Sequence, residues 1–424
     1  MDNVLFSIKK IIPKPVFGFF QPAYHKTLAW IANIVYRSPS KKLLVIAVTG
    51  TKGKSSVTEI MNAILEEAGY KTALSNTIRF KIGTASENNL YKMSMPGRMF
   101  IQRFLRRAVD DGCTHAVVEV TSQGAALYRH LFMAFDGLIF TNLAPEHIES
   151  HGSYEKYIQA KLSIADAVAH SPKPRRILVT NADDKESPRF EAKNFTETHR
   201  YSLADAKPYT LRTDGFDMTV GGAGVTSTKI HSALPGEFNI YNELGAITMA
   251  RALGISLDVC KRAIEKITSI RGRVEKIEAG QNFDVIVDYA HTPDSLRALY
   301  KVYAGTRRIC ILGNTGGGRD TWKRDEMAKI AESECDEIIL TNEDPYDDDP
   351  QKIITDMAQA ITTKKPHIIM DRREAMAHAF SMARTGDAVL ITGKGTDPYI
   401  MGPNNTKTPW NDAVVAREEL EKMK

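Results

Sequence analysis

From Leu43 onward the chain alternates short apolar runs with longer segments that read as helices. That rhythm predicts an α/β fold, a parallel sheet wrapped by helices. Strand candidates in the first half are Leu43–Val48, Ala116–Val120, Gly137–Thr141 and Arg176–Thr180. Residues Tyr209–Ile230 are richer in Thr, Gly and Val and predict a small β-excursion that Pro235-Gly236 ends. Asn242–Leu253 then reads as a helix. A second alternating set follows: Asp284–Asp288, Arg308–Leu312, Glu337–Leu340, His367–Met370 and Ala388–Ile391, with helices such as Lys323–Glu334 and Pro350–Ile361 between them. The boundary between the two sets is placed near Ser269–Gly272. No repeat or low-complexity segment stands out.

The first 42 residues depart from this rhythm. Apolar and aromatic residues (Phe6, Ile8, Phe17, Phe19, Phe20, Trp30, Ile31, Ile34, Val35) are interspersed with Lys9, Lys10, Lys14, Lys26, Arg37, Lys41 and Lys42. Pro13, Pro15 and Pro22 are expected to break the segment into pieces, because proline is poorly tolerated inside a helix. No apolar run reaches the roughly 20 residues of a membrane span. No small-residue cleavage site follows a short apolar core, so a secretory signal is not read. Short helices packed on the main domain are the first reading. Peripheral membrane contact through residues 1–42 is the second, since aromatic and basic residues together favour headgroup regions.

Composition changes this picture little. A chain of 424 residues is long enough for two or three domains. Its net charge of +5 is small for that length, and no dense Lys/Arg run points to nucleic acid. Cys113, Cys260, Cys310 and Cys335 lie far apart without a C-x-x-C pair, which reads as buried free thiols in a reducing cytoplasm.

The strongest chemical signal follows Val45-Ile46-Ala47-Val48. The run Thr49-Gly50-Thr51-Lys52-Gly53-Lys54-Ser55-Ser56 leads into a helix-like segment, Val57–Ala68. Strand, glycine loop and helix start aim backbone N–H groups and a helix dipole at phosphate. Lys54 is placed to neutralise the β- and γ-phosphates of ATP, and Ser55 to offer its hydroxyl to Mg²⁺. Val48 stands where the generic pattern wants a glycine, so what remains is the shorter G-x-x-G-K-S form. A plain glycine turn is the bland alternative.

Glu119 lies inside the apolar run Val117-Val118-Glu119-Val120, where a carboxylate is costly unless paired or metal-bound. His147 follows the strand Gly137–Thr141. Ligands of open parallel sheets gather at the carboxyl ends of strands, which places Glu119 and His147 on the edge that carries the phosphate loop. Hard oxygen ligands suit Mg²⁺. Taken singly, each residue is better read as structural.

These residues, in this order, resemble the Mur ligases. Thr49–Ser55, Glu119-Val120-Thr121-Ser122, Phe140-Thr141-Asn142-Leu143, Glu146-His147 through His151-Gly152 to Ala160-Lys161, Asn181-Ala182-Asp183-Asp184, Gly236-Glu237-Phe238-Asn239 and Gly272-Arg273-Val274-Glu275 all carry the likeness. Asp288–Asp294 and Gly393-Lys394-Gly395 resemble the branch that adds the third residue of the peptidoglycan stem peptide. The resemblance covers about residues 43–424. It implies a central P-loop parallel-sheet ATPase domain over 43–270 and a C-terminal Rossmann-like α/β domain over 271–424 that binds the amino acid, after a short helical segment. It also implies a cytoplasmic, ADP-forming ligase that activates a carboxylate as an acyl phosphate and joins it to an amine. The acceptor would be a peptidoglycan-precursor muramoyl dipeptide.

Carried over residue by residue, the resemblance implies ATP contacts at Gly50, Thr51, Lys52, Gly53, Lys54, Ser55, Ser56, Asn239, Asn242, Arg273, Asp288 and His291. It implies Mg²⁺ held through Ser55, Glu119, His147 and Lys161, the last as a carbamylated lysine. An isolated helix lysine would otherwise be read as solvated. Thr121, Ser122 and Arg129 fall near the acceptor. The incoming amino acid would be read by Glu343, Asp344, Tyr346, Gly393, Thr396 and Asp397. Three departures stand out. The branch has a further N-terminal domain that grips uridine, which 42 residues cannot supply. Gln123 stands where the branch usually has His. Glu343-Asp344-Pro345-Tyr346 replaces D-N-P-R, so the arginine that pairs with the distal carboxylate of diaminopimelate is missing. With Asp347, Asp348 and Asp349 close by, the acidic motif favours L-lysine or a similar basic amino acid; a solvated loop, with selectivity set elsewhere, is the bland alternative. A folylpolyglutamate-type ligase and a non-catalytic ATP-binding scaffold subunit are the alternatives.

Overall fold

The computed structural model describes residues 14–97, 99–146, 148–221, 227–318 and 321–424. His147, a predicted Mg²⁺ ligand, and residues 1–13 of the N-terminal segment lie outside the described residues. The chain divides into two compact units. One gathers the residues up to Leu143 with Glu155–Tyr201 and Gly245–Ile255. The other gathers Ala144–Tyr154, Ser202–Leu244 and Ser256–Lys424. The β-excursion thus groups with the second unit.

The first unit is built on an eight-stranded sheet of order β4-β3-β2-β5-β1-β6-β7-β8. Its strands are β1 (Leu44–Thr49), β2 (Thr72–Ser75), β3 (Arg79–Ile82), β4 (Ala85–Asn88), β5 (His115–Glu119), β6 (Gly137–Phe140), β7 (Ile177–Asn181) and β8 (Glu197–Tyr201). Six are parallel; β3 and β4 form an antiparallel hairpin at one edge. Val45, Ile46, Ala47 and Val48 of β1 are fully buried. That is what a near-continuous apolar run predicts for a strand covered on both faces. From β1 the chain crosses toward β2, whereas from β6 it crosses the other way to β7. The carboxyl ends of β1 and β6 therefore flank a topological switch point, where open sheets bind ligands.

The N-terminal segment is a correction. A single helix runs from Lys14 to Val35 with Pro22 inside it. Pro15 sits in the first turn, where a missing N–H costs nothing, and Pro22 is exposed, so water can take the bond its ring removes. Arg37 and Ser38, both at positive φ, end the helix. Pro39 and Ser40 then bury themselves, with the Ala134 amide donating to Ser40 Oγ. No helix among the described residues is long and apolar enough to cross a membrane.

In the second unit, β9 (Tyr209–Arg212), β10 (Gly215–Val220) and β11 (Thr228–Ser232) form a small antiparallel sheet. A six-stranded sheet has the order β12-β13-β17-β14-β15-β16, from Glu275–Lys276, Asp284–Val287, Arg308–Leu312, Glu337–Leu340, His367–Ile368 and Ala388–Ile391 in chain order. All but β12 are parallel. Side chains alternate between two cores: Cys310 and Leu312 on one face of β14, Ile309 and Ile311 on the other. This is the period of two that covers a sheet with helices on both faces.

The cysteines are the second correction. Cys113 and Cys260 are buried free thiols, but Cys310 and Cys335 form a disulfide. The helix Lys323–Glu334 covers the face of β14 that carries Cys310, and Cys335 ends that helix, within reach of its partner. Separation along the chain hid a crossover that brings the two together.

Candidate functional site

The phosphate loop is fixed from beneath. Gly50, at φ +152°, passes so close to the end of β6 that an added Cβ would lie 1.9 Å from Thr141 Oγ1. The Thr51 amide donates to the Asn142 carbonyl (2.8 Å) and the Lys52 amide to Asn142 Oδ1 (2.9 Å). Thr141 Oγ1 donates back to the Lys52 carbonyl (2.7 Å). Gly53 takes a left-handed conformation at the start of the helix Lys54–Glu67, and no side chain caps that helix. Its first amides and its dipole are thus presented at the loop, an arrangement suited to a phosphate anion. Lys54 Nζ rests on the Thr51 carbonyl at 2.8 Å, and Thr51 Oγ1 meets the Tyr157 hydroxyl at 2.9 Å. Ser56 is buried on the same turn.

Glu119 ends β5 beside this loop and is 2% exposed. Ser55 Oγ donates to its Oε2 at 2.9 Å, so two of the predicted Mg²⁺ residues touch. The Thr77 amide and hydroxyl and the Ser94 hydroxyl also donate to Glu119, at 2.9–3.0 Å. Those donors answer the cost of burying a carboxylate. Thr77 and Ser94 were missed in the sequence, as were Asn142 and Tyr157 as loop supports. Each is an ordinary polar residue whose role exists only once the strands are ordered.

Lys161, on the helix Tyr154–Ala169, is 1% exposed. Its Nζ donates to the Gly50 carbonyl at 2.6 Å and lies 4.9 Å from the centre of the Tyr157 ring. It is no solvated helix lysine. Ser55 and Glu119 supply the hard oxygens that Mg²⁺ prefers, so this pair fits the ion. Among the described residues no group of three His, Cys, Asp or Glu converges as a metal site.

Thr121 caps the short helix Ser122–Ala126, its side chain accepting from the Gly124 amide. Ser122 is buried in its first turn. Arg129 donates to the Met95 carbonyl, and burial lowers its pKa.

The second unit assembles the other predicted residues in two groups. Asn239 Nδ2 donates to the Pro235 carbonyl and Asn242 Nδ2 to Asn239 Oδ1, pinning the start of the helix Glu237–Ala252. Asp288 accepts the Val274 and Ala290 amides, one on each oxygen (both 2.7 Å). Arg273 stacks 4.7 Å over the Tyr289 ring. His291 Nδ1 donates to the Tyr289 carbonyl, and its Nε2 lies 3.2 Å from Glu146 Oε1. Gly272 and Gly395 let these backbones meet: a Cβ at Gly272 would lie 2.6 Å from the Thr396 nitrogen.

Lys394, 0% exposed, organises the acidic motif. Its Nζ reaches Asp344 Oδ1 (2.8 Å), Asp397 Oδ2 (3.5 Å) and the Tyr399 carbonyl (2.6 Å). Asp344 also accepts the Met401 amide. The nearby Asp397 carboxylate and burial hold the Tyr289 hydroxyl well above the usual phenol range. Asp347 and Asp348 accept the backbone amides of Asn404 and Gly317, and Asp349 caps the helix Pro350–Gln359. These three acids therefore serve turns and caps. Glu343 differs. Thr315 Oγ1 donates to its Oε1, whereas its buried Oε2 meets no donor among the described residues. Burial and then Asp344 raise its pKa. Gly393 is what admits it, since a Cβ there would lie 2.3 Å from Oε2. Tyr346, at φ +52°, turns the chain beside it, its amide donating to the Met401 carbonyl.

The sequence matches the family model of the Mur ligase middle domain over residues 48–250 and that of the Mur ligase glutamate ligase domain over 272–395. A UDP-N-acetylmuramyl-tripeptide synthetase of Roseiflexus sp. (strain RS-1) is 35% identical over 434 residues, covering 96% of this chain and 84% of the relative. A UDP-N-acetylmuramoyl-L-alanyl-D-glutamate–2,6-diaminopimelate ligase of Clostridium tetani is 35% identical over 94% of this chain and 82% of its own. A solved structure of a ligase of that name has a TM-score of 0.62 at 27% identity, covering 90% of this chain and 79% of that one. Mycobacterium tuberculosis folylpolyglutamate synthase shares the fold, with a TM-score of 0.70 at 16% identity over 88% of this chain and 93% of that one. The chain belongs to the Mur ligase family, whose members are ADP-forming amide ligases.

Proposed function

We propose that the protein joins an amino acid to a muramoyl dipeptide that carries a free carboxylate, with ATP as the energy source. The juxtaposition that carries this reading is the phosphate loop with Ser55 hydrogen-bonded to Glu119 and with Lys161 seated on Gly50. An acceptor carboxylate needs no strong base to attack the γ-phosphorus of ATP. The negative charge that spreads in that step requires preorganised positive groups, which Lys54 and the helix start at Gly53 would supply. Mg²⁺, when bound, would neutralise phosphate charge. Ser55 and Glu119 would hold it, together with His147 and a carbamylated Lys161. Thr121, Ser122 and Arg129 are assigned to the acceptor. Asn239, Asn242, Arg273, Asp288 and His291 are assigned to the nucleotide. Residues 43–270 would act as the ATPase domain and 271–424 as the amino-acid domain.

For the added residue we favour L-lysine or a similar basic amino acid over diaminopimelate. Tyr346 stands where a guanidinium would be needed for a second carboxylate. Asp344 and Asp397 face Lys394, so Glu343 is the carboxylate that would meet an incoming ammonium. Several relatives are named diaminopimelate ligases, so the choice is open to a direct test. ADP release is measured with the muramoyl dipeptide nucleotide and each amino acid in competition. Preferential use of diaminopimelate overturns the lysine assignment. Turnover only with a folate acceptor overturns the acceptor, and no turnover with any acceptor leaves a scaffold role.

A further inference from the structure

The helix Lys14–Val35 is amphipathic in an unusual sense. From residue 20 onward its inner face is formed by Leu28, Ala29, Ala32 and Tyr36, buried or partly buried. Its outer face carries Phe20, Tyr24, Ile31 and Ile34, spaced by four, seven and three residues and thus in one stripe, with Trp30 and Val35 beside it. Phe20, Trp30, Ile34 and Val35 are each more than half exposed. Large apolar side chains clustered on one exposed face mark an interaction surface.

The charge around the stripe identifies the partner. Residues 20–42 contain Lys26, Arg37, Lys41 and Lys42 and no Asp or Glu. Arg37, Lys41 and Lys42 are exposed where the helix ends. The helix Phe100–Asp110 packs against Pro39–Lys42 and carries exposed Arg103 and Arg107. The nearby acid, Asp110, is held to Arg106, with Lys42 and Arg37 close enough to lower its pKa further. A second copy of the chain would bring two such basic rims together, which repel. An anionic lipid surface answers both features: headgroups pair with the basic rim, and tryptophan and tyrosine favour the interface below them. We propose that this face docks the protein on a membrane surface rich in anionic phospholipid, the helix lying in the interface. The proposal is independent of the ligase reading.

The test is flotation of the full chain with phosphatidylcholine vesicles and with vesicles that also contain phosphatidylglycerol. The expected result is binding to the anionic vesicles only, weakened by salt. Lys41→Glu with Lys42→Glu should lower the partition coefficient by at least about fivefold per residue. Trp30→Ser with Ile34→Ser should lower it by at least about tenfold. Both pairs are exposed, and an unchanged melting temperature verifies that each variant folds. Failure of the parent to float with anionic vesicles overturns the proposal, as does flotation undiminished in both variants. Sedimentation velocity showing a dimer that Trp30→Ser/Ile34→Ser dissolves would assign the face to a second copy instead.

Discussion

Replacing Lys394 by methionine tests whether one buried cation holds the carboxyl-end loops of the second sheet together. Methionine keeps most of the stem's volume and removes the charge. The change deletes the contacts to Asp344, Asp397 and the Tyr399 carbonyl, and leaves two largely buried carboxylates without this counter-ion. Breaking a buried pair from one side costs about 3–5 kcal/mol, because the remaining charge loses its compensation. For a unit of this size that corresponds to a fall of roughly 6–20 °C in the melting temperature. Asp344→Asn in the same background should recover part of the loss. Guanidinium unfolding of the parent, both single variants and the double variant gives the coupling, expected at about 1–3 kcal/mol. A Lys394→Met protein within about 1 kcal/mol of the parent, or a cycle that is simply additive, would refute the reasoning.

Lys54→Ala should abolish ATP turnover while leaving the melting temperature nearly unchanged, since Lys54 is only half-buried at a loop; undiminished ADP release from the folded variant removes the phosphate assignment. Lys161→Ala should lose turnover, with partial rescue by acetate, and intact mass measured with and without bicarbonate should show the carbamate on the parent only. Burial pushes the Glu243 carboxyl up to about 8, above its unfolded value near 4.5. The folded state then holds an extra proton between those pH values, so this group's contribution to stability declines as pH rises from 4.5 to 8, by up to about 1.4 kcal/mol per pH unit. Glu243→Gln should flatten that decline in denaturation curves taken at pH 6 and pH 8; an identical slope in both proteins counts against it.

Much of the fold was legible because its strands are short apolar runs that only a doubly covered sheet can bury. The phosphate loop was legible for a related reason: glycines at 50 and 53 mark backbone conformations that few other residues adopt. What could not be read from the chain depends on approach between distant segments. Besides Ser55, the donors on Glu119 come from Thr77 and Ser94, which carry no local signature. Cys310 and Cys335 meet only because a helix folds back over β14. Pro22 is a helix breaker by type, yet it faces solvent, where the lost amide bond is cheap. The aspartates at 347–349 are only an acidic run in the sequence; in the fold each holds a backbone amide, the cap and turn roles short acidic side chains fill wherever the backbone leaves amides over.

The stitching of the phosphate loop to β6 has a consequence for inheritance. Asn142 holds Thr51 and Lys52, and Thr141 holds Lys52 while crowding Gly50. Residues 141 and 142 thereby shape the loop from its underside, and a change in either is felt through the curvature of the loop above it. Drift at these two positions and drift at 50–52 are then not independent events. A descendant can alter one side only by alterations that the other already tolerates.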